Sequence, residues 1–349
     1  MQYYNIQIQR RLSVSEAYLK LPKKEQALIL GKLSKNKEIK RDALLLEKDI
    51  WICWALEFLF KMPDRLPMAF KGGTSLSKAF KVIDRFSEDV DITIDYQAFN
   101  CGDPFAESTS KTKIKNISLQ LRSMVTQHIK DALIPYYEKI ILEQFKENAP
   151  TVEIDNDGET LHLRYPSVIE QKSGYIIDSI RLEFGGRNLT IPSEPITIAT
   201  DISEYVKNLS FPVAQATVLS PQKTYWEKLT LIHYECNRPT LKEDADRISR
   251  HWYDISMLSN HQIGKNAANN RELLNEVIKV KKTFYDSGFA KYDDCLNGNF
   301  RLIPNEDYLK LLEIDFIKML SNKMFYGEQP NFTRIISEIK ELENSINGK

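Results

Sequence analysis

The clearest chemical pattern in the sequence is a pair of aspartates, Asp89 and Asp91, which alternate with Val90 and Ile92. Alternate residues of a β-strand point to the same side, so both carboxylates are expected to project together while the apolar pair packs behind them. Neighbouring carboxylates repel, and each ionises less readily beside the other. A divalent cation between them would relieve the repulsion, and an all-oxygen ligand set favours Mg²⁺ (or Mn²⁺) that also binds substrate phosphates.

A small-residue turn precedes this pair, after a short apolar run at 68–70 that is predicted to be a strand. Two adjacent glycines adopt backbone conformations that other residues disfavour, and they let the backbone approach a ligand closely. A hydroxyl from the turn is expected to cap a helix over 79–86, whose first N–H groups suit a phosphate. The predicted nucleotide-binding residues of this turn are Lys71, Gly72, Gly73, Thr74 and Ser75.

Either motif alone is common in ordinary turns and strand ends. Together, in the order strand, turn, helix and strand, they are typical of a metal-dependent nucleotidyltransferase. Such a site usually has a third carboxylate on a neighbouring strand, and Glu183, on a strand predicted over 174–184, is the candidate. Glu183 would bind a second metal ion or take the proton from the attacking hydroxyl, and Asp178 is the alternative.

The run from Lys71 to Ile92 resembles the signature of the AbiEii/AbiGii toxin family. The members of that family are nucleotidyltransferase-fold proteins of bacterial toxin–antitoxin and phage-abortive-infection systems. The resemblance implies an enzyme that transfers a nucleoside monophosphate from an NTP to an acceptor and that a cognate antitoxin protein neutralises. The acceptor is either RNA, such as a tRNA 3′ end, or a protein hydroxyl. The alternative function is a non-catalytic NTP- or RNA-binding module that keeps the fold.

Three residues of the second half match later motifs of the same family. Lys228, within Glu-Lys-Leu, corresponds to an active-site lysine that would neutralise the triphosphate. Arg250 and Asp254 match an Arg-x-x-x-Asp pattern, which implies that Asp254 positions Lys228 or the base and that Arg250 binds phosphate. Because residues four apart on a helix share a face, a simple intrahelical ion pair is the alternative.

The resemblance also extends to residues around the aspartates and to an earlier helix. Arg85 either holds the loop or binds a phosphate, and the hydroxyl of Ser87 either contacts a phosphate or ends the preceding helix. The triplet Glu47-Lys48-Asp49 is either a solvated helical face or, through Lys48, a phosphate contact.

The totals restrict the remaining functions. Lys+Arg and Asp+Glu are both 48, so nucleic-acid binding requires a local basic patch. The basic start of a helix predicted over 111–141 is either a solvated face or the border of a nucleic-acid groove. The four cysteines and the lone His233 and His251 lack metal-ligand spacing, which indicates free thiols in a reducing cytosol and no zinc. The sequence lacks a P-loop motif, a signal-peptide pattern and an apolar run of membrane-spanning length, so we expect a cytoplasmic protein without a membrane partner.

The 349 residues, 42% of them hydrophobic, suffice for two domains. The expected class is α/β (α+β): a nucleotidyltransferase-like domain over 1–218, with a small mixed sheet flanked by helices, and an α-helical domain over 219–349. The strands are predicted as a hairpin over 151–163 and at 174–184, 191–200 and 213–219. The helices are predicted over 22–34, 41–60, 111–141, 224–234, 241–258, 270–284, 308–321 and 332–346.

Overall fold

A computed structural model describes residues 16–170, 179–239 and 247–348. The helices are α1 (Lys23–Leu33), α2 (Ala43–Lys61), α3 (Gly72–Lys78), α4 (Lys111–His128), α5 (Ile134–Gln144), α6 (Pro221–Asn237), α7 (Arg250–Asn260), α8 (Gln262–Asn269), α9 (Arg271–Phe284), α10 (Tyr292–Leu296), α11 (Glu306–Ser321) and α12 (Phe332–Ile346). The strands are β1 (Glu16–Ala17), β2 (Met68–Lys71), β3 (Asp89–Ile94), β4 (Thr151–Ile154), β5 (Thr160–Arg164), β6 (Ile180–Gly185), β7 (Ser193–Ala199), β8 (Leu209–Ser210) and β9 (Val213–Leu219). The expected α/β class is confirmed.

The main sheet is mixed and has the strand order β4-β5-β6-β3-β2-β9-β7. β3 runs parallel to β6 and antiparallel to β2, and β2 runs parallel to β9. The other neighbouring pairs are antiparallel and include the expected hairpin of β4 and β5. Because β3 is the central strand, the predicted metal ligands lie in the middle of the sheet rather than at an edge.

The central strands separate an apolar face from a charged one. Val90, Ile92 and Leu182 belong to one buried core together with α2, α4 and α5. Since side chains alternate along a strand, Asp91 and Glu183 project from the opposite face. The sheet therefore carries the core on one side and the candidate chemistry on the other.

The helix expected over 111–141 is present as α4, a five-residue π turn (Ile129–Leu133) and α5. Its core-facing residues recur every four positions: Ile117, Leu121, Val125, Ile129, Leu133, Tyr137 and Ile141. In an α-helix of 3.6 residues per turn, such a stripe would rotate by about 40° at each step. The wider π turn reduces this drift, so that the whole segment keeps one face on the sheet.

Helices α6 to α12 pack around a second apolar core, to which residues 76, 82 and 83 also contribute. Conversely, Met319 and Met324 pack into the core of the sheet. The sheet's last strand ends at Leu219 and α6 begins at Pro221, close to the expected boundary at 218. The division into two domains stays a prediction.

The helix predicted over 79–86 is wrong, because α3 occupies residues 72–78 and the following segment is not helical. The chain reverses at Lys81, whose φ is 52°. The amide of Val82 donates to the carbonyl of Leu76, as in a Schellman-type helix end. This reversal turns Val82 and Ile83 into the helical core, a long-range contact that local periodicity does not reveal.

The helix predicted over 241–258 is also partly wrong. Helix α7 begins only at Arg250, and residues 247–249 are not helical. Arg247 has a φ of 64°, which interrupts helical geometry just before α7. Residues 240–246 lie outside the described residues, as do Asp178 and the start of the strand expected over 174–184.

Two further observations concern the cysteines and the length and apolar character of the helices. The four cysteines carry free thiols, and Cys53, Cys236 and Cys295 are buried. Of the helices in the described ranges, none combines the length and the apolar character needed to cross a bilayer.

Candidate active site

Charged side chains from three adjacent strands meet at the centre of the sheet. The strand register pairs Asp91 with Lys71 on β2 and with Glu183 on β6. One step earlier along the face, Asp89 pairs with Arg181. Partners on neighbouring strands share a face, so the three acids expected from the sequence lie together beside Lys71.

Two arginines hold the carboxylate of Asp89. Nη1 of Arg181 lies 3.4 Å from Oδ1, and Nη1 of Arg250 lies 3.2 Å from Oδ2. Burial raises the pKa of Asp89, but the charges of Arg250 and Arg181 outweigh burial and hold that pKa below its usual value. Asp89 is therefore ionised at neutral pH. Arg250, for which the resemblance implies a phosphate contact, here binds a carboxylate.

The carboxyl group of Glu183 has the opposite electrostatic character. Its Oε1 lies 2.7 Å from Nη2 of Arg181, and about a third of the side chain (36%) is exposed. Burial and then the charges of Asp91 and Asp89 raise the pKa of Glu183 to about 7, although Arg181 opposes the shift. A carboxyl group with this pKa can accept or release a proton near neutral pH, as a general base must.

Both positions of the turn require glycine, because neighbouring side chains lie where a Cβ atom would be. Gly72 has a φ of 79°, and a Cβ there would collide with Oδ2 of Asp91 and lie 2.9 Å from its Cγ. A Cβ on Gly73 would lie 2.6 Å from Nη2 of Arg85 and 2.9 Å from Oγ of Ser87. The turn is thus packed between Asp91 on one side and Arg85 with Ser87 on the other.

The hydroxyls of Thr74 and Ser75 do not cap α3, so that prediction is wrong. Oγ1 of Thr74 donates to the carbonyls of Asp89 and Ser87, the second at 3.3 Å. Oγ of Ser75 donates to a carbonyl of its own helix. Because α3 begins at Gly72, both hydroxyls lie inside its first turn, and Thr74 ties α3 to β3.

A buried charge cluster lies beside Gly73. The carboxylate of Asp254, which is fully buried, accepts bonds from Nε and Nη2 of Arg85 at 2.7 and 2.8 Å and pairs with Nζ of Lys228 at 2.8 Å. Burial raises the pKa of Asp254, but Arg85 and Lys228 hold it far below its usual value. Arg85 is only 2% exposed, so it holds the loop rather than facing a ligand.

His251 adjoins this cluster. Nδ1 of His251 lies 3.3 Å from Nζ of Lys228. Burial, followed by the charges of Lys228 and Arg250, lowers the pKa of His251 well below its usual value, so the ring is neutral and Nδ1 accepts a bond from the ammonium. Burial also lowers the pKa of Lys228, although Asp254 opposes that shift.

These contacts distinguish the two explanations of Arg250 and Asp254. The two residues lie four apart on α7, yet each pairs with another element: Arg250 with Asp89, and Asp254 with Arg85 and Lys228. Within the described residues the two form no ion pair with each other. Asp254 thus pairs with Lys228 of α6 rather than with Arg250. Ser87 ends no helix, since α3 stops at Lys78.

The triplet of α2 is buried, so the solvated face considered for it is wrong. Each side chain anchors a different segment. The carboxylate of Glu47 accepts hydrogen bonds from the amide of Val168 and the hydroxyl of Ser167. Nζ of Lys48 lies 2.7 Å from Oε1 of Glu88, and Oδ1 of Asp49 lies 2.6 Å from Nζ of Lys78. Lys48 thus binds the residue next to Asp89 rather than facing a ligand.

Sequence reasoning missed Arg181 and the pair of Glu88 with Arg247. Arg181 lies two residues before Glu183, and strand alternation could have placed it on the same face. The partners of Glu88 carry no such local signal, because Lys48 and Arg247 are distant from it in the chain.

Asp89 and Asp91 offer carboxylate oxygens, which hard divalent cations prefer. Across the described ranges, no three side chains of Asp, Glu, His or Cys converge closely enough to hold a metal ion by themselves. An ion bound to this pair would take further ligands from substrate phosphates and water, as Mg²⁺ commonly does. The aspartates therefore fit Mg²⁺ or Mn²⁺ as a site that the substrate completes, while Glu183 pairs with Arg181.

The chain was also compared with known proteins. A search of curated proteins found no match. Among solved structures, the chain is similar to MenT4, a nucleotidyltransferase toxin of Mycobacterium tuberculosis H37Rv, with 16% identity, a TM-score of 0.43, and 93% of this chain and 98% of that chain covered. It is also similar to JHP933 from Helicobacter pylori, with 14% identity, a TM-score of 0.38 and 93% of each chain covered.

The family model for the nucleotidyl transferase AbiEii toxin of type IV toxin–antitoxin systems matches residues 55–338. This range includes the glycine turn, the three acids and the cluster of Lys228 and Asp254. The resemblance seen in the motifs is thereby confirmed, and the chain belongs to the AbiEii family of nucleotidyl transferase toxins.

Proposed function

We propose that this toxin is a metal-dependent enzyme that transfers a nucleoside monophosphate from an NTP to an acceptor hydroxyl and releases pyrophosphate. The observation that carries the proposal is the placement of Asp89, Asp91 and Glu183 on adjacent strands, directly against the glycine turn. Phosphoryl-type transfer requires positioning and charge neutralisation far more than covalent help from the protein. These residues offer both.

The acidic and basic side chains of the site have different proposed roles. Asp89 and Asp91 would hold Mg²⁺ or Mn²⁺, which neutralises phosphate charge when bound. Lys228 and Arg250 supply positive charge on the Asp89 side, where Asp254 keeps the ammonium of Lys228 in place. The nucleotide-binding assignment of residues 71–75 and 87 rests on the close packing of the glycine turn against Asp91 and Ser87.

Glu183 is the group to which we assign the proton of the acceptor hydroxyl. Its pKa of about 7 leaves much of the carboxyl group ionised at neutral pH and makes its protonated form accessible. In the proposed step the acceptor oxygen bonds to the α-phosphorus, its proton moves to Glu183, and the bond to pyrophosphate breaks.

The family supports a toxin that a cognate antitoxin neutralises. We place the activity in the cytoplasm, where NTPs are abundant. The acceptor is RNA, including a tRNA 3′ end, or a protein hydroxyl.

The test is label transfer from each of the four α-³²P-labelled NTPs, with Mg²⁺ or Mn²⁺, to total RNA and to protein. Asp91→Asn keeps the shape of the side chain and removes its charge, so we expect transfer to fall about 100-fold or more. The matched control is Glu194→Gln, which removes an exposed carboxylate from β7 and should leave transfer unchanged.

Transfer that persists in Asp91→Asn would refute the site. Saturable NTP binding without transfer from any NTP, in wild type and control alike, would instead favour the non-catalytic binding module.

A further inference from the structure

One helix supplies both groups that hold the ammonium of Lys228. Its Nζ lies 2.8 Å from Oδ2 of Asp254 and 3.3 Å from Nδ1 of His251, and both partners belong to α7. Residues three apart on a helix share a face, so these two acceptors reach the same ammonium together. Because Lys228 is only 6% exposed, little of its side chain is open to a ligand. The direction of the ammonium is therefore set by α7.

The number of N–H groups limits what Lys228 can still bind. An ammonium has three donors and no acceptor. Asp254 and His251 occupy one donor each, and in the described parts of the chain the ammonium has no further partner. One N–H group thus remains for a ligand, and its direction is fixed once the other two are held.

The second acceptor is neutral, which decides the charge of the cluster. The carboxylate of Asp254 is shared by two cations, Arg85 and Lys228, and among the described residues neither cation contacts another carboxylate. Burial, followed by the charges of Lys228 and Arg250, lowers the pKa of His251, so the ring adds no charge. A second carboxylate at this place would cancel the remaining positive charge, whereas an imidazole orients the ammonium and leaves that charge to attract an anion.

We propose that His251 is a positioning residue for nucleotidyl transfer: together with Asp254 it directs the ammonium of Lys228, so that one N–H group and an uncancelled positive charge meet the triphosphate. This inference rests on the proposed function, since it places a triphosphate in the site. His251 acts through Lys228 and does not itself touch the substrate.

Phosphate binding without catalysis is the first measurement. Calorimetric titration with inorganic tripolyphosphate and Mg²⁺ needs no base, acceptor or turnover. His251→Phe keeps a ring and removes the nitrogen acceptor, so we expect binding to weaken about tenfold. His261→Phe replaces an exposed histidine just before α8 and should bind as the wild type does.

Two amide variants identify the nitrogen that matters. His251→Asn places its side-chain oxygen near the position of Nδ1 and should restore binding, whereas His251→Gln places its amide nearer to Nε2 and should not. Recovery with Gln but not with Asn would overturn the proposal, because it would indicate a direct contact between Nε2 and the phosphate. Both amides are polar and smaller than the imidazole, so this comparison decides the question even if His251→Phe fails to fold.

A double-mutant cycle tests whether His251 acts through Lys228. Lys228→Met removes the ammonium and keeps an unbranched side chain, so His251→Phe should have no further effect on tripolyphosphate binding in that background. Lys265→Met, at an exposed position of α8, is the control background, in which the loss of about tenfold should remain. The same loss in the Lys228→Met background would overturn the positioning role.

These binding measurements separate the role of His251 from the proposed reaction. The expected pattern supports the positioning role even if no label is transferred from any NTP, in which case only the transfer reaction is refuted. The positioning role is overturned, even if label transfer is observed, when wild type does not bind tripolyphosphate or when His251→Phe binds it equally well.

Discussion

Glu183 shows how one side chain acquires its chemistry from its neighbours. It lies beside Asp91 in the sheet and is only partly solvated, so its proton is retained to a higher pH than in an isolated glutamate. Arg181 bonds both Glu183 and Asp89 and thus limits the repulsion among the acids.

At this scale we predict a titration midpoint near pH 7 for Glu183, against about 4.3 for an isolated glutamate. The measurement is ¹³C NMR of the side-chain carboxyls without added metal. Asp91→Asn removes one negative charge, which favours the ionised form and should lower the midpoint while burial keeps it above 4.3. Asp64→Asn, at an exposed position, is the control. A titration midpoint of Glu183 near 4.3 that does not change in Asp91→Asn would contradict the assignment of Glu183 as the general base.

At the scale of elements, the junction of β2 and α3 brings the backbone against the acids. The strand delivers Lys71 level with Asp91, and the helix starts at the next residue. Only a glycine permits both the positive φ and the absence of a Cβ at this point.

We therefore predict that Gly72→Ala destabilises the fold by about 1–2 kcal/mol, because φ is strained, and displaces Asp91 enough to abolish transfer. Gly31→Ala is the matched control, since a Cβ there meets nothing within 4 Å and α1 should gain about 0.5–1 kcal/mol. Urea unfolding and label transfer measure the two effects. Equal stability and equal label transfer in the two variants would contradict the close approach of Gly72 to Asp91.

For the whole molecule, one buried cluster joins the sheet half to the helical half. Asp254 of α7 binds Arg85, which precedes β3, and Lys228 of α6. Arg250 and Arg247 add links to Asp89 and Glu88. The two halves are thus connected next to the candidate site.

Asp254→Asn leaves two cations facing a neutral amide, so we predict a loss of about 3–5 kcal/mol in the free energy of unfolding. The pKa of Asp254 is lowered in the fold, so its contribution is complete above the unfolded value of about 3.9 and declines as the pH falls through the folded pKa.

Urea unfolding at neutral pH and below pH 4 measures both effects, with Asp64→Asn as control. The difference between wild type and variant should shrink in acid. A variant as stable as wild type at neutral pH would show that the cluster does not join the halves.

The sequence by itself determined the reaction class and the sheet geometry that supports it. Two glycines, then aspartates at a spacing of two, then Glu183 on another strand are local patterns, and strand alternation converts them directly into a shared face. The helices α2 and α12 follow likewise from apolar periodicity.

Only the tertiary structure decided which charges meet. The sequence left an intrahelical pair of Arg250 and Asp254 as an alternative, yet residues more than a hundred positions away hold them. The sequence left open whether the triplet of α2 is a solvated face, and the structure shows that it is buried. Ion pairing and burial depend on distances between remote segments, and local spacing carries no information about those distances.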